Sequence, residues 1–197
     1  MNTLNIKVII GSTRNKRFCE RPARWIFEQL KKKDGVEAEL LDLRDYAMPF
    51  FEEAETPSYK KQDYTNESVV RWTKKIAEAD GFIIVSPEYN HGYPAVLKNA
   101  MDYVYKEWNN KAVGFVSYGS VGGGRVVEQL RLVSIELQMA PIRTAVHIPW
   151  ETMYKAITDE KIADAELLKP FEAPAENFLT QLLWWTTALK AARQTIK

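Results

Sequence analysis

The chain has 197 residues, 46% hydrophobic and 27% charged, and its 27 Lys and Arg against 26 Asp and Glu leave a formal net charge of +1. That length fits a single domain spanning residues 1–197, which buries about 70% of its unfolded surface with no staple, and near-neutrality excludes a general nucleic-acid binder, which needs a basic excess. The lone cysteine, Cys19, permits no internal disulfide, no Cys/His spacing resembles a metal site, and no apolar run is long enough to span a membrane, so the chain reads as soluble, cytoplasmic and free of metal.

Along the chain, short β-rich runs alternate with segments of helical period. The first strand is predicted over Ile6 to Ile10, followed by a helix carrying Ile26 and Leu30. A second strand covers Ala38 to Leu43. Residues 44–64 break the rhythm with Pro49, Phe50, Phe51 and Pro57, and read as a long loop in which Phe50 and Phe51 are available for a pocket or a subunit contact. Helical spacing returns at Val69, Trp72 and Ile76, a third strand at Gly81 to Val85, and another helix at Leu97, Met101 and Val104. A fourth strand over Ala112 to Ser117 precedes a helix through Val126, Leu130, Val133 and Leu137, and a fifth covers Arg143 to Ile148. Residues 149–175, with three prolines, read as a second long excursion before a final helix through Phe178, Leu182, Trp185 and Leu189. Five strands joined by single crossover helices predict a doubly wound α/β sandwich of three layers with a parallel sheet.

Ligands in such sheets bind beyond the carboxyl ends of the strands, where strand order reverses. The first of these loops runs Gly11-Ser12-Thr13-Arg14-Asn15-Lys16-Arg17, and five basic residues face one acid between positions 14 and 24. Cations crowded at a helix N-terminus oppose its dipole and point to a compensating anion. Gly11 allows close backbone approach, Ser12 and Thr13 offer hydroxyls, and Arg14 or Arg17 supplies charged hydrogen bonds to phosphate oxygens. After the third strand comes Ser86-Pro87-Glu88-Tyr89-Asn90-His91-Gly92-Tyr93-Pro94, a rigid backbone suited to a planar ligand. Ser117-Tyr118-Gly119 and Gly122-Gly123-Gly124 follow the fourth strand, where glycines let a backbone lie against a ring. In a sheet of order 2-1-3-4-5 these three glycine-bearing loops are neighbours, whereas the turn after the second strand has no glycine. One loop for a phosphate and two for a flat ring describe a mononucleotide such as FMN. There is no G-x-x-x-x-G-K-[ST] phosphate loop and no G-x-G-x-x-G, while Asp42 near the end of the second strand keeps a dinucleotide reading open. His147 reads as a core residue of its strand, Cys19 as packing, and Lys98 with Asp102 as a pair on one helix. The ten acids between Asp34 and Glu67 read as a solvated face.

Gly11-Ser12-Thr13-Arg14, the Ser86-Pro87-Glu88-Tyr89-Asn90 stretch with Pro94-Ala95-Val96-Leu97-Lys98-Asn99-Ala100-Met101-Asp102, and Ser117-Tyr118-Gly119 with Gly123-Gly124 resemble the NADPH-dependent FMN reductase family over about residues 4–137. The resemblance implies a flavodoxin-like fold, non-covalent FMN, NADPH or NADH as electron source, a small-molecule acceptor such as a quinone, free flavin, azo compound or metal species, and a homodimer or homotetramer. By position it implies Ser12, Arg14 and Arg17 at the phosphate, Pro87, Glu88, Tyr89 and Asn90 at the isoalloxazine, and Ser117 and Gly119 at its other side. The chain has Arg17 and Cys19 where the commoner first loop, Gly-Ser-x-Arg-x-x-Ser-x-Asn, has Ser and Asn. No catalytic side chain is expected, because a flavin carries the chemistry itself. A flavodoxin-type electron carrier and a flavin-binding regulatory protein are the alternatives, the former disfavoured by the lack of a markedly acidic charge.

Overall fold

A computed structural model describes residues 3–60 and 64–195. Strand β1 (Leu4–Ile10) leads through helix α1 (Glu20–Lys31) to β2 (Val36–Asp42) and a 3-10 turn, Leu43–Asp45. Then come α2 (Glu67–Glu78), β3 (Gly81–Pro87), α3 (Ala95–Asp102), β4 (Ala112–Tyr118), α4 (Gly124–Glu136) and β5 (Ala140–Ile148), closed by α5 (Trp150–Thr158), α6 (Asp164–Leu167) and α7 (Glu172–Thr195). All strands are parallel, in the order β2-β1-β3-β4-β5, which is the expected 2-1-3-4-5 arrangement.

Side chains alternate across a strand, so one run feeds two cores. Ile6, Val8 and Ile10 of β1 and Ile83 and Val85 of β3 pack with Trp25, Ile26 and Leu30 of α1 and Phe178, Leu179 and Leu182 of α7. Ile9, Phe82, Ile84, Val113 and Phe115 turn to the other face, against Val69, Trp72 and Ile76, Leu97 and Met101, and Val126 and Leu130. Three layers result. β3 and β4 are buried along their whole length, which explains why their sequences are almost continuously apolar. The edge strands β2 and β5 start earlier than expected because their first residues are partly exposed and carry a weaker apolar signal.

Residues 149–175 are not a loop. Pro149 precedes α5 as its N-cap, Pro170 lies in a 3-10 turn, and Pro174 lies in the first turn of α7. At these places proline removes no helical hydrogen bond, so all three punctuate helix starts where a breaker was expected. Residues 46–60 do form an irregular excursion. Asn99 of α3 pins it, donating to the Pro49 carbonyl at 2.7 Å and accepting from the Phe51 amide at 2.8 Å. Phe51 packs on Tyr103, whereas Phe50 stays 76% exposed. Among the described residues no helix is long and apolar enough to cross a membrane.

Candidate functional site

The register aligns Ile10 with Val85 and Pro87 with Tyr118, so the loops following β1, β3 and β4 emerge side by side at one edge of the sheet. Their closeness is built into the backbone. The Gly11 amide donates to the Val85 carbonyl at 2.8 Å, and a Cβ at Gly11 would stand 2.7 Å from that same oxygen. Only glycine lets β1 turn there.

In the β1–α1 loop the Ser12 hydroxyl is buried and meets the Tyr89 hydroxyl at 3.0 Å, linking the first loop to the second. Thr13 and Arg14 are exposed, and the Arg14 guanidinium lies 5.9 Å from the Tyr89 ring centroid. Arg17 is different. Its side chain is buried, donates to the Ser12 carbonyl at 2.6 Å and to Asp42 Oδ1 at 2.7 Å, and pairs with the second Asp42 oxygen. Its Nε is buried without a partner. Hydrogen bonding to Asp42 raises the already high pKa of Arg17. Burial works against the ionised Asp42 carboxyl, but the hydrogen bond and charge of Arg17 and the Arg44 amide hold it below its usual range. The acidic stretch 34–67 is therefore more than a solvated face: Asp42 organises the phosphate-like loop, and Glu39 pairs with Lys7 and Lys75.

The second loop is a tight turn. Tyr89 and Gly92 exchange backbone hydrogen bonds, both at 2.9 Å, and Asn90 and His91 take positive φ values of 49° and 68° between them. Pro87 is the buried last residue of β3 and Asn90 is exposed at the tip. Glu88 points elsewhere. Its carboxylate accepts from the Arg125 and Val126 amides at 3.1 and 3.3 Å, capping α4, and from Arg125 Nε at 2.7 Å. Arg125 also meets His91 Nε2 at 2.7 Å, so it ties the second loop to the third.

In the third loop Gly122 and Gly123 have φ values of 71° and 74°, which glycine adopts without strain. The buried Ser117 hydroxyl donates to the Gly122 carbonyl at 2.7 Å and lies 3.0 Å from His147 Nδ1. His147 is exposed on the edge strand, contrary to its expected place in the core. A Cβ on Gly119 would stand 3.1 Å from that of Glu88, so the third loop must keep a bare backbone where it passes the second.

All ten candidate positions thus gather at one edge, but with unequal roles. Thr13, Arg14 and Asn90 are exposed on the loops and Tyr89 is partly so, Ser12 and Gly119 are buried directly beneath them, and Arg17, Pro87, the Glu88 carboxylate and Ser117 support the loops from within. Two contributors were missed. Arg44, just past β2, donates to the Thr13 carbonyl at 3.3 Å and the Arg14 carbonyl at 2.6 Å, and Arg125 joins the other two loops. The first had a signal in β2 lying next to β1; the expectation that only glycine-bearing turns matter concealed it.

Cys19 is fully buried, with its thiol 3.3 Å from the Val85 carbonyl, and burial pushes its pKa up to about 12. Such a thiol is inert. An aromatic disulfide reagent at pH 8 is expected to titrate no thiol in the native chain and one after denaturation; rapid native labelling would contradict the packing role.

The arrangement fits a flat ring bearing a phosphate. The first loop presents Arg14 and hydroxyls, the second a tight turn closed at Gly92, and the third a glycine-rich backbone that a Cβ at Gly119, Gly122 or Gly123 would obstruct.

Comparison with known proteins agrees. The sequence profile of the NADPH-dependent FMN reductases matches residues 4–151. The chain is 40% identical to an NAD(P)H-dependent FMN reductase of Schizosaccharomyces pombe over 162 residues, 81% of either chain. It is 31% identical over 146 residues to a 2-hydroxy-1,4-benzoquinone reductase of a Burkholderia species, covering 69% of this chain and 73% of that one. In fold it is similar to the flavoenzyme NAD(P)H:(acceptor) oxidoreductase FerB of Paracoccus denitrificans, with a TM-score of 0.66 at 22% identity, over 91% of this chain and 97% of the other.

Proposed function

The chain belongs to the NADPH-dependent FMN reductase family, and from that premise we propose that it is an oxidoreductase that binds FMN non-covalently and moves hydride from NAD(P)H to a small acceptor such as a quinone, free flavin, azo compound or metal species. The observation that carries the reading is the β1–α1 loop, whose carbonyls of Ser12, Thr13 and Arg14 are all held by arginines, beside a tight turn containing Gly92 and a glycine-rich third loop. Bound FMN supplies the two-electron chemistry between nicotinamide and acceptor. The protein binds and orients. Arg14, with the Ser12 and Thr13 hydroxyls, would hold the phosphate; Tyr89, Asn90 and Gly119 would border the ring, and backbone amides in the second and third loops would favour negative charge on it. Glu88, Arg125 and Ser117 keep those loops in register.

An open ring face selects acceptors by size and potential more than by shape, which supports a broad acceptor range. Exposed apolar side chains, among them Phe50, Leu132, Ile135 and Trp184, support a homodimer or homotetramer. A single buried thiol suits the reducing cytoplasm.

Purified protein is expected to be yellow and to bleach when mixed anaerobically with NADPH. A colourless chain that takes up no FMN would overturn the reading, and a yellow chain that bleaches only with a protein donor would favour an electron carrier. Arg14→Ala is expected to weaken FMN binding roughly tenfold, the loss of one hydrogen bond to a charged group, as measured by quenching of flavin fluorescence.

A further inference from the structure

We propose that Arg44 is a positioning residue that holds the β1–α1 loop in its phosphate-accepting form, and thereby sets the preference for phosphorylated over phosphate-free flavin; this rests on the FMN reading above. Arg44 follows β2 directly. The Asp42 carboxylate accepts the Arg44 amide at 2.9 Å, which starts the 3-10 turn and aims the side chain across β1. There the guanidinium edge straddles two successive carbonyls, Nε donating to Thr13 and Nη2 to Arg14, while Arg17 takes the preceding carbonyl, Ser12.

Three consecutive carbonyl oxygens are thus drawn toward arginine side chains. In a planar trans peptide the N–H points opposite to its carbonyl, so the amides of Thr13, Arg14 and Asn15 are turned away from those arginines. Among the described residues the Thr13 and Asn15 amides have no acceptor, and the Arg14 amide has only a long contact of 3.4 Å to the Ser12 hydroxyl. Successive amides facing one way form a nest for an anion. Lys16, at φ 49°, closes the turn in a backbone region that costs a non-glycine residue energy.

The role depends on shape as well as charge. A guanidinium has a rigid planar fork that spans two acceptors, whereas an ammonium is a single point. Arg44 is also exposed, so its removal leaves no core cavity. Arg44→Lys keeps the charge and loses the fork; Arg44→Met loses both.

Wild type, Arg44→Lys and Arg44→Met would be titrated with FMN and with riboflavin by fluorescence quenching, alongside thermal unfolding. The expected result is a loss of FMN affinity of about tenfold in both variants, with riboflavin affinity and melting temperature unchanged, so that the FMN-to-riboflavin ratio collapses. Two outcomes would overturn the proposal: an unchanged FMN-to-riboflavin ratio, whether both affinities hold or both fall equally, or full FMN affinity in Arg44→Lys, which would leave charge alone as the cause. A wild-type chain that binds neither flavin would instead bring down the FMN reading, and the proposal with it.

Discussion

Asp42→Ala is expected to lower the free energy of unfolding by about 3 kcal/mol at pH 7. The Arg17 side chain is 2% exposed and that of Asp42 is 23% exposed, so the substitution strands a buried guanidinium with the Ser12 carbonyl and Glu20, 3.5 Å away. The loss falls at the low end of what breaking a buried pair costs because Asp42 keeps some water and Glu20 remains in reach. A carboxyl held below its ordinary pKa contributes stability above its unfolded value and loses it as pH falls through the folded value. The gap between wild type and variant in urea unfolding is therefore expected to be full at pH 7 and to narrow once pH drops below ~4, the ordinary aspartate range. Asp42→Asn, which keeps an acceptor for the Arg44 amide, is expected to fall between the two. A gap that is the same at pH 3 and pH 7 would show that Asp42 acts by packing and not by charge.

Gly123→Ala is expected to cost about 3 kcal/mol and to abolish tight FMN binding. The residue sits at φ 74°, where an alanine pays roughly 1–2 kcal/mol, and its Cβ would stand 2.7 Å from Ser117 Cβ and 2.9 Å from the Tyr118 amide nitrogen, both in the buried end of β4. Neither neighbour is the free end of a flexible side chain, so the loop itself must move, with the further cost of overpacking. The adjacent Gly124 is the control. A Cβ there meets nothing within 4 Å and begins α4, so Gly124→Ala is expected to be neutral or slightly stabilising. Thermal unfolding and FMN titration of the two variants separate the effects; an alanine at 123 that leaves FMN affinity intact would remove the third loop from the cofactor site.

The legible parts of this fold were those in which local sequence and burial agree. β3 and β4 are buried from end to end and their expected spans fall within two residues of the observed ends, as does that of β2, whereas β5, half-covered at the sheet edge, begins well before its expected start at Arg143. Pro149, Pro170 and Pro174 misled because proline breaks a helix interior but is welcome in a first turn, and composition does not tell which position it holds. At the site, glycine marked the three loops correctly as neighbours, since positive φ and close backbone approach leave a residue-type signature. Long-range partners leave none. Arg17 read as a surface phosphate ligand because its charge was counted where it stands in the chain, while the fold brings Asp42 from β2 to meet it.

From the sequence alone followed the α/β class, the strand order expected of the family, the single inert cysteine and the edge of the sheet at which the three glycine-bearing loops meet, because hydrophobic period and glycine placement are local properties. Only the tertiary structure decided which of five basic residues in the first loop and helix face outward. Arg17 turns inward to Asp42, Arg21 pairs with Asp164 and Arg24 with Glu20, so the net positive charge of that stretch is largely neutralised by partners up to 143 residues away, leaving Arg14 and Lys16 at the loop surface. Charge in a chain is additive, but its field at a site depends on which opposite charges the fold brings within a few ångströms.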